Sequence, residues 1–180
     1  LRPDCADLSY TLRAYFAWKL GLPFAMRGCT RGRRGKAPKC RGFGSNLMIA
    51  EVKEGDEPNR VKAFEYFARK KLAGTVHSSS GRTLPDDEQS DFYPVSMTRS
   101  ALRPGTTFFD PYGHAMTVAS WFPATDEKAG VLVAVDAQPD QTVGRRIFSR
   151  GSFLFPEDGT PSGAGFKRFR PVRTEAGVTV

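Results

Sequence analysis

Asp4-Cys5-Ala6-Asp7-Leu8-Ser9-Tyr10-Thr11-Leu12-Arg13-Ala14-Tyr15-Phe16-Ala17-Trp18-Lys19-Leu20-Gly21-Leu22-Pro23 is the stretch from which the rest of the chain is read. No Gly or Pro interrupts it between Cys5 and Leu20. Asp4 is placed to cap a helix, Gly21 to stop it, and Pro23 forbids continuation. Leu8, Leu12, Tyr15 and Phe16 form one apolar stripe, and Ala6, Tyr10, Ala14, Ala17 and Trp18 make much of the opposite side apolar too. A helix apolar nearly all round predicts a buried, central element. Cys5 then lies in the first turn of that helix.

Outward from it, residues 27–44 read as an Arg- and Gly-rich loop. A second helix is expected after Asp56, with Pro58 in its first turn and Val61, Phe64, Phe67, Ala68 and Leu72 on its apolar face. Arg69, Lys70 and Lys71 suit its C-terminal dipole, and Gly74 ends it. Thr75–Ser79 reads as a short strand and Ser80–Pro94 as a long loop. Beyond that the pattern turns to β: a strand from near His114 to Trp121, a second over Val131–Ala137, and short strands at Ile147-Phe148, Ser152–Phe155 and Phe166–Phe169. Helices first and an antiparallel sheet afterwards predict the α+β class, in a single domain spanning 1–180.

The composition sets the bounds. The 180 residues include 14 Phe, 2 Trp and 5 Tyr, ample apolar surface for one core, so whole-chain disorder is excluded. Lys and Arg number 27 against 19 Asp and Glu, a net charge of +8, which favours anionic partners without choosing among them. No apolar run is long enough to span a membrane, and Leu1–Leu8 is not a signal peptide. The abrupt opening on Leu1-Arg2-Pro3-Asp4-Cys5 leads us to expect a preceding segment.

Three cysteines are present. Cys29 and Cys40 bracket a flexible basic stretch, and a bridge between them is expected to add roughly 2–3 kcal/mol. Two separate buried thiols are the alternative. A zinc site lacks ligands, since only Cys5 and two scattered histidines remain. A bridge implies an oxidising compartment and leaves Cys5 as the odd thiol.

That thiol has possible partners. A helix N-terminus is one place where a cysteine pKa is lowered. An imidazole would hold the thiolate–imidazolium pair, and the chain offers His114, where a turn hands over to a strand, and His77. A third group should orient the imidazole. Asp136, near the end of the next strand, becomes a neighbour of His114 if the two strands form an antiparallel hairpin; Asp110, on the turn itself, is the competitor. Singly, these are an apolar core thiol, a structural His and a turn Asp. Their conjunction points to a Cys5–His114–Asp136 catalytic triad.

The local motifs resemble a known group. Asp4-Cys5-Ala6-Asp7-Leu8, followed by Gly21-Leu22-Pro23, looks like the nucleophile helix of NlpC-type, papain-like cysteine hydrolases. Leu102-Arg103-Pro104-Gly105-Thr106 resembles the family's Leu-x-Pro-Gly-Asp turn. Gly113-His114-Ala115-Met116-Thr117-Val118 resembles its Gly-His-Val strand, and Val135-Asp136-Ala137 falls where the family has its third polar residue. Asp7 stands where Gly is usual and Thr106 where an acidic residue is usual. The separation of Cys5 from His114 exceeds the compact family pattern, so residues 27–93, basic loop plus second helix, read as an insertion into a papain-like core. The resemblance implies a cysteine-dependent amide hydrolase acting through an acyl-enzyme on cell-wall peptides, in the bacterial periplasm or outside the cell. No phosphate-binding Gly loop and no His-Glu-x-x-His helix occurs in the sequence, so no cofactor or metal is expected. The Cys5 N–H would be one oxyanion donor, and Tyr93 or Ser96 stand as guesses for the second.

Two other classes remain open at this level. Asp at the third position, with Val135-Asp136-Ala137-Gln138-Pro139, is also similar to transglutaminase-like acyl transferases and proteases. Alternatively, Arg31, Arg33, Arg34, Lys36, Lys39 and Arg41 would be the footprint of a non-enzymatic basic binding module. An anionic polymer suits that loop, whereas nucleic acid is not expected. The expected substrate is a peptide or peptidoglycan-like chain.

Overall fold

The computed structural model describes residues 3–33, 35–45, 60–152, 163–175 and 178–179. Helix α1 (Cys5–Leu20) forms as its sequence requires. The Asp4 Oδ1 accepts the Ala6 and Asp7 N–H groups at 3.1 and 3.0 Å, and the Gly21 and Leu22 N–H groups return to the carbonyls of Trp18 and Ala17. Its burial is one-sided, which corrects the expectation of a helix buried all round. Ala6, Leu8, Tyr10, Ala14 and Ala17 are buried, while Tyr15, Phe16 and Leu20 are exposed. The exposed aromatics pack sideways instead: Tyr15 lies against Phe16, Trp18 and Phe64.

Strands β1 (Ala25–Cys29) and β2 (Cys40–Ser45) pair antiparallel, so the expected 27–44 loop is in part a hairpin. Cys29 and Cys40 are directly opposite in its register and form a disulfide. Glycines hid these strands, and cross-linking makes up for their weak propensity. The second helix, α2 (Arg60–Tyr66), runs into a π-helical turn over Phe67–Leu72. Phe64, Phe67, Ala68 and Leu72 are buried on it as expected, but Val61 is exposed. Asp56 and Pro58 lie outside the described residues. No strand forms at Thr75–Ser79; a 3₁₀ turn (Ser78–Gly81) stands there.

Six strands make the main sheet, in the order β3 (Phe92–Pro94), β8 (Gly165–Phe169), β4 (Thr107–Phe109), β5 (Ala115–Phe122), β6 (Val131–Ala137) and β7 (Val143–Ile147), with every neighbour antiparallel. The α+β expectation therefore holds. Strands β3 and β4, three residues each, escaped the sequence reading because so short a run carries no periodicity. At Ser152–Phe155 the described part is a 3₁₀ turn (Arg150–Ser152), and the remainder lies outside the described residues. A last pair, β9 (Thr174–Glu175) and β10 (Val178–Thr179), closes the described chain.

The two sheet faces are separately packed. Tyr10, Ala14 and Ala17 of α1 share a core with Phe109, Ala115 and Phe92, and Met26 of β1 together with Phe64, Phe67, Leu72 and Val76 from the 27–93 segment enter the same core. Phe108, Met116, Val118, Ala134 and Phe166 fill the other face. One carboxylate knits the first core together: Asp91 Oδ2 accepts the Tyr10 hydroxyl at 2.7 Å and the Arg27 N–H at 2.9 Å. Among the described residues, no helix is long and apolar enough to cross a membrane.

Candidate active site

Helix α1 brings Cys5 to the loop before β5. There the thiol donates to the Gly113 carbonyl at 3.6 Å. Burial pushes the thiol pKa up, and the charge of Asp4 adds to the rise; the N–H groups of Ala115, Ala6 and Cys5 itself pull the other way without winning. The helix N-terminus thus does not lower the thiol pKa as expected, because burial, with the Asp4 charge added to it, outweighs the surrounding N–H groups.

The turn that carries His114 is built around Asp110. Its Oδ1 accepts three successive N–H groups, from Tyr112 at 2.8 Å, Gly113 at 2.6 Å and His114 at 2.9 Å. Gly113 has φ +113°, where a side chain is strained, and a Cβ there would lie 3.2 Å from the Ser78 Oγ. Arg82 braces the same turn by donating to the Pro111 carbonyl at 2.9 Å and the Ser79 Oγ at 2.8 Å. Asp110 is therefore a turn organiser, and the imidazole turns elsewhere.

It turns to Asp136. His114 Nε2 meets Asp136 Oδ2 at 2.9 Å, and the same oxygen accepts Gln138 Nε2 and Arg146 Nε, each at 2.8 Å. Asp136 is 1% exposed. Burial alone would raise its pKa, but the hydrogen bonds from Arg146 and His114 and the charge of Arg146 outweigh it and hold the carboxyl below its usual range. With an ionised acceptor at Nε2, that nitrogen carries the proton, and Nδ1 is the ring atom left to act as a base. The other carboxylate oxygen, Oδ1, is buried without a partner.

Register explains both additions. Asp136 stands opposite Gly144, so Arg146, two residues on along β7, projects from the same face. Gln138 follows Asp136 by two and shares that face as well. Sequence reasoning did not single out either residue, although alternation along a strand facing Asp136 would have picked out Arg146. The same alternation sets Asp136 with Ala134, while Ala115 packs with α1. Ser9 and Thr117 share a 2.8 Å hydrogen bond on the α1 side. The Cys5 thiol thus reaches the Gly113 peptide, next in sequence to His114, and no hydrogen bond joins the thiol to the imidazole.

The remaining expectations resolve differently. His77 bonds the Cys29 carbonyl through Nε2 at 2.7 Å, which ties it to the hairpin. Tyr93 lies on β3, three strands from β5, where it influences Arg13. Ser96 is exposed and contacts Thr98 at 3.3 Å. Neither is beside Cys5, so neither serves as the second oxyanion donor. Among the described residues no group of His, Cys, Asp and Glu could hold a metal ion. No family model matches the chain, and neither a curated protein nor a solved structure is detectably similar to it.

Proposed function

We propose that this chain is a cysteine-dependent amide hydrolase of papain-like, NlpC-type organisation, with Cys5 as nucleophile, His114 as base and acid, and Asp136 as orienter. The observation that carries the reading is the 2.9 Å bond from His114 Nε2 to a buried, ionised Asp136, in a turn whose adjacent carbonyl contacts the Cys5 thiol. An imidazole so fixed presents Nδ1 as a proton acceptor. In the reaction the thiol leaves the Gly113 carbonyl and passes its proton to Nδ1, and the sulfur forms a bond to the substrate carbonyl carbon. The displaced π pair sits on oxygen, facing the Cys5 N–H. Collapse breaks the C–N bond, and the imidazolium protonates the departing amine. Water, deprotonated by His114, then splits the thioester to release acid and thiol.

Cell-wall peptides are the proposed substrates, and a periplasmic or secreted location is proposed with them. The Cys29–Cys40 disulfide supports the location. The test is incubation of pure protein with cross-linked peptidoglycan, reading new amines and peptide masses. Cleavage that disappears in both Cys5→Ala and His114→Ala is the expected result. Intact cross-links throughout, with Cys5 equally reactive to iodoacetamide with and without His114, would sink the proposal. An added amine that captures the acyl group in preference to water would convert the reading to acyl transfer.

A further inference from the structure

Away from Cys5, the disulfide hairpin and residues 84–89 enclose a groove of about 1110 Å³. That exceeds the usual small-molecule site of roughly 300–1,000 Å³, so the space suits a short oligomer better than a single metabolite. One wall is cationic: Arg31, Arg33, Lys36, Lys39 and Arg41 line it, and all are exposed. The opposite wall is acidic, with Asp86, Asp87 and Glu88. Leu84, Ala37 and Pro38 supply apolar floor between them.

Two observations make this more than a solvated charge run. First, among the described residues no salt bridge joins the lining cations Arg31, Arg33, Lys36, Lys39 and Arg41 to Asp86, Asp87 or Glu88. Lys and Arg in reach of carboxylates would pair, so the lining cations and the exposed Asp86 and Glu88 remain available to a ligand, while Asp87 Oδ1 accepts the Gln89 N–H at 2.9 Å. Second, the cationic wall is rigidly built although its like charges repel. Beside the disulfide, Arg33 and Lys36 exchange backbone hydrogen bonds at 3.0 and 2.7 Å, and Thr30 accepts and donates to Lys39 at 3.0 and 2.9 Å. Gly32 sits at φ +74°, strained for any side chain, and a Cβ there would press against the Lys36 carbonyl oxygen at 3.0 Å and Pro38 at 3.1 Å. At the groove's base Arg27 reaches the Gln89 side chain, and its N–H meets Asp91, fixing the hairpin to the body.

We infer that this groove is a binding site for a mixed-charge peptide, whose carboxylates lie along the hairpin cations and whose amine faces Asp86, Asp87 and Glu88. A polyanion would satisfy one wall and be repelled by the other, and a polycation the reverse. The apolar floor suits the aliphatic parts of a peptide. This inference stands apart from the hydrolase proposal, since it involves none of Cys5, His114 or Asp136.

The test is fluorescence anisotropy with three labelled peptides of equal length: alternating Glu and Lys, all Glu, and all Lys. The titrations use the Cys5→Ala chain with its disulfide intact, so that no peptide is cleaved during measurement. The alternating peptide is expected to bind tightest. Arg31→Glu with Arg33→Glu reverses two exposed cations and should weaken it by about tenfold, about 1.4 kcal/mol. Glu88→Lys should weaken the alternating peptide and tighten the all-Glu one, a crossing of affinities that general loss of structure cannot mimic. All-Glu binding equal to or tighter than alternating binding overturns the inference in favour of a simple polyanion site. Absence of binding by all three, or affinities indifferent to both variants, overturns it outright.

Discussion

Near the end of β6, Asp136 takes three donors on one buried oxygen, whereas the five groove-lining cations of the β1–β2 hairpin, Arg31, Arg33, Lys36, Lys39 and Arg41, are exposed and make no salt bridge among the described residues. The difference is one of solvent. A buried carboxylate without donors would cost several kcal/mol, so burial of Asp136 demands Arg146, Gln138 and His114 around it. An exposed guanidinium stays hydrated, so the hairpin can leave its charges unpaired and open to a ligand. Pairing of charge thus marks the part of the molecule whose geometry must not drift. Unpaired charge marks the part that can still gain from a partner.

The comparison is broken most forcefully through activity. His114→Ala and Asp136→Ala should each lower kcat/KM by about 10³–10⁴, in line with loss of a triad member, while Arg31→Glu leaves it unchanged. Equal losses from both regions would show that they are one site. Peptidoglycan cleavage rates decide between these outcomes.

Removing the bridge separates the two regions in stability. Cys29→Ser with Cys40→Ser should lower unfolding free energy by roughly 2–3 kcal/mol in urea and abolish groove binding, with Cys5 alkylation rates unaltered. A changed Cys5 reactivity would reveal coupling through His77, which bonds the Cys29 carbonyl, and Ser78, which lies beside Gly113.

Arg146→Gln sharpens the site side of the contrast. It should cost about 1–2 kcal/mol near neutral pH, because a buried carboxylate loses a charged donor. The folded-state pKa of Asp136 is depressed, so its stabilising contribution is complete above the unfolded value of about 3.9 and is lost as pH falls through the folded value. Arg146→Gln should therefore start acid unfolding at a higher pH, whereas Arg31→Glu should not shift it. Urea melts across the acid range check both.

Asp7 gives the smallest effect. Burial first, and the Asp4 charge second, raise its pKa to about 6. Its favourable contribution is present below the unfolded value and lost as pH rises through about 6, leaving an uncomfortable carboxylate above that. Asp7→Asn should stabilise the fold by about 1 kcal/mol near pH 8, discounted because the group is half-exposed, and by nothing near pH 4. Equal stabilisation at both pH values would trace the effect to packing instead.

The helix and the two long strands were legible because capping, periodicity and alternation are local signals. Asp4, Gly21 and the run Val131–Ala137 carry them in adjacent residues. So too was the Cys29–Cys40 bridge among the readings considered, since a short flexible loop brings its ends together cheaply. The sequence by itself thus determined the α+β class and the nearness of His114 to Asp136 on neighbouring strands. Only tertiary structure decided what surrounds them. The register of β7 put Arg146 over Asp136, and Asp110 was drawn into its own turn by three N–H groups. The imidazole bonds Asp136, and the thiol rests on the Gly113 carbonyl. The groove belongs to the same category, because its walls are some fifty residues apart in the chain and meet through Arg27, Gln89 and Asp91. Local patterns encode elements, but a hydrogen-bond partner across a sheet or cleft is chosen by register and burial, which no short stretch of sequence contains.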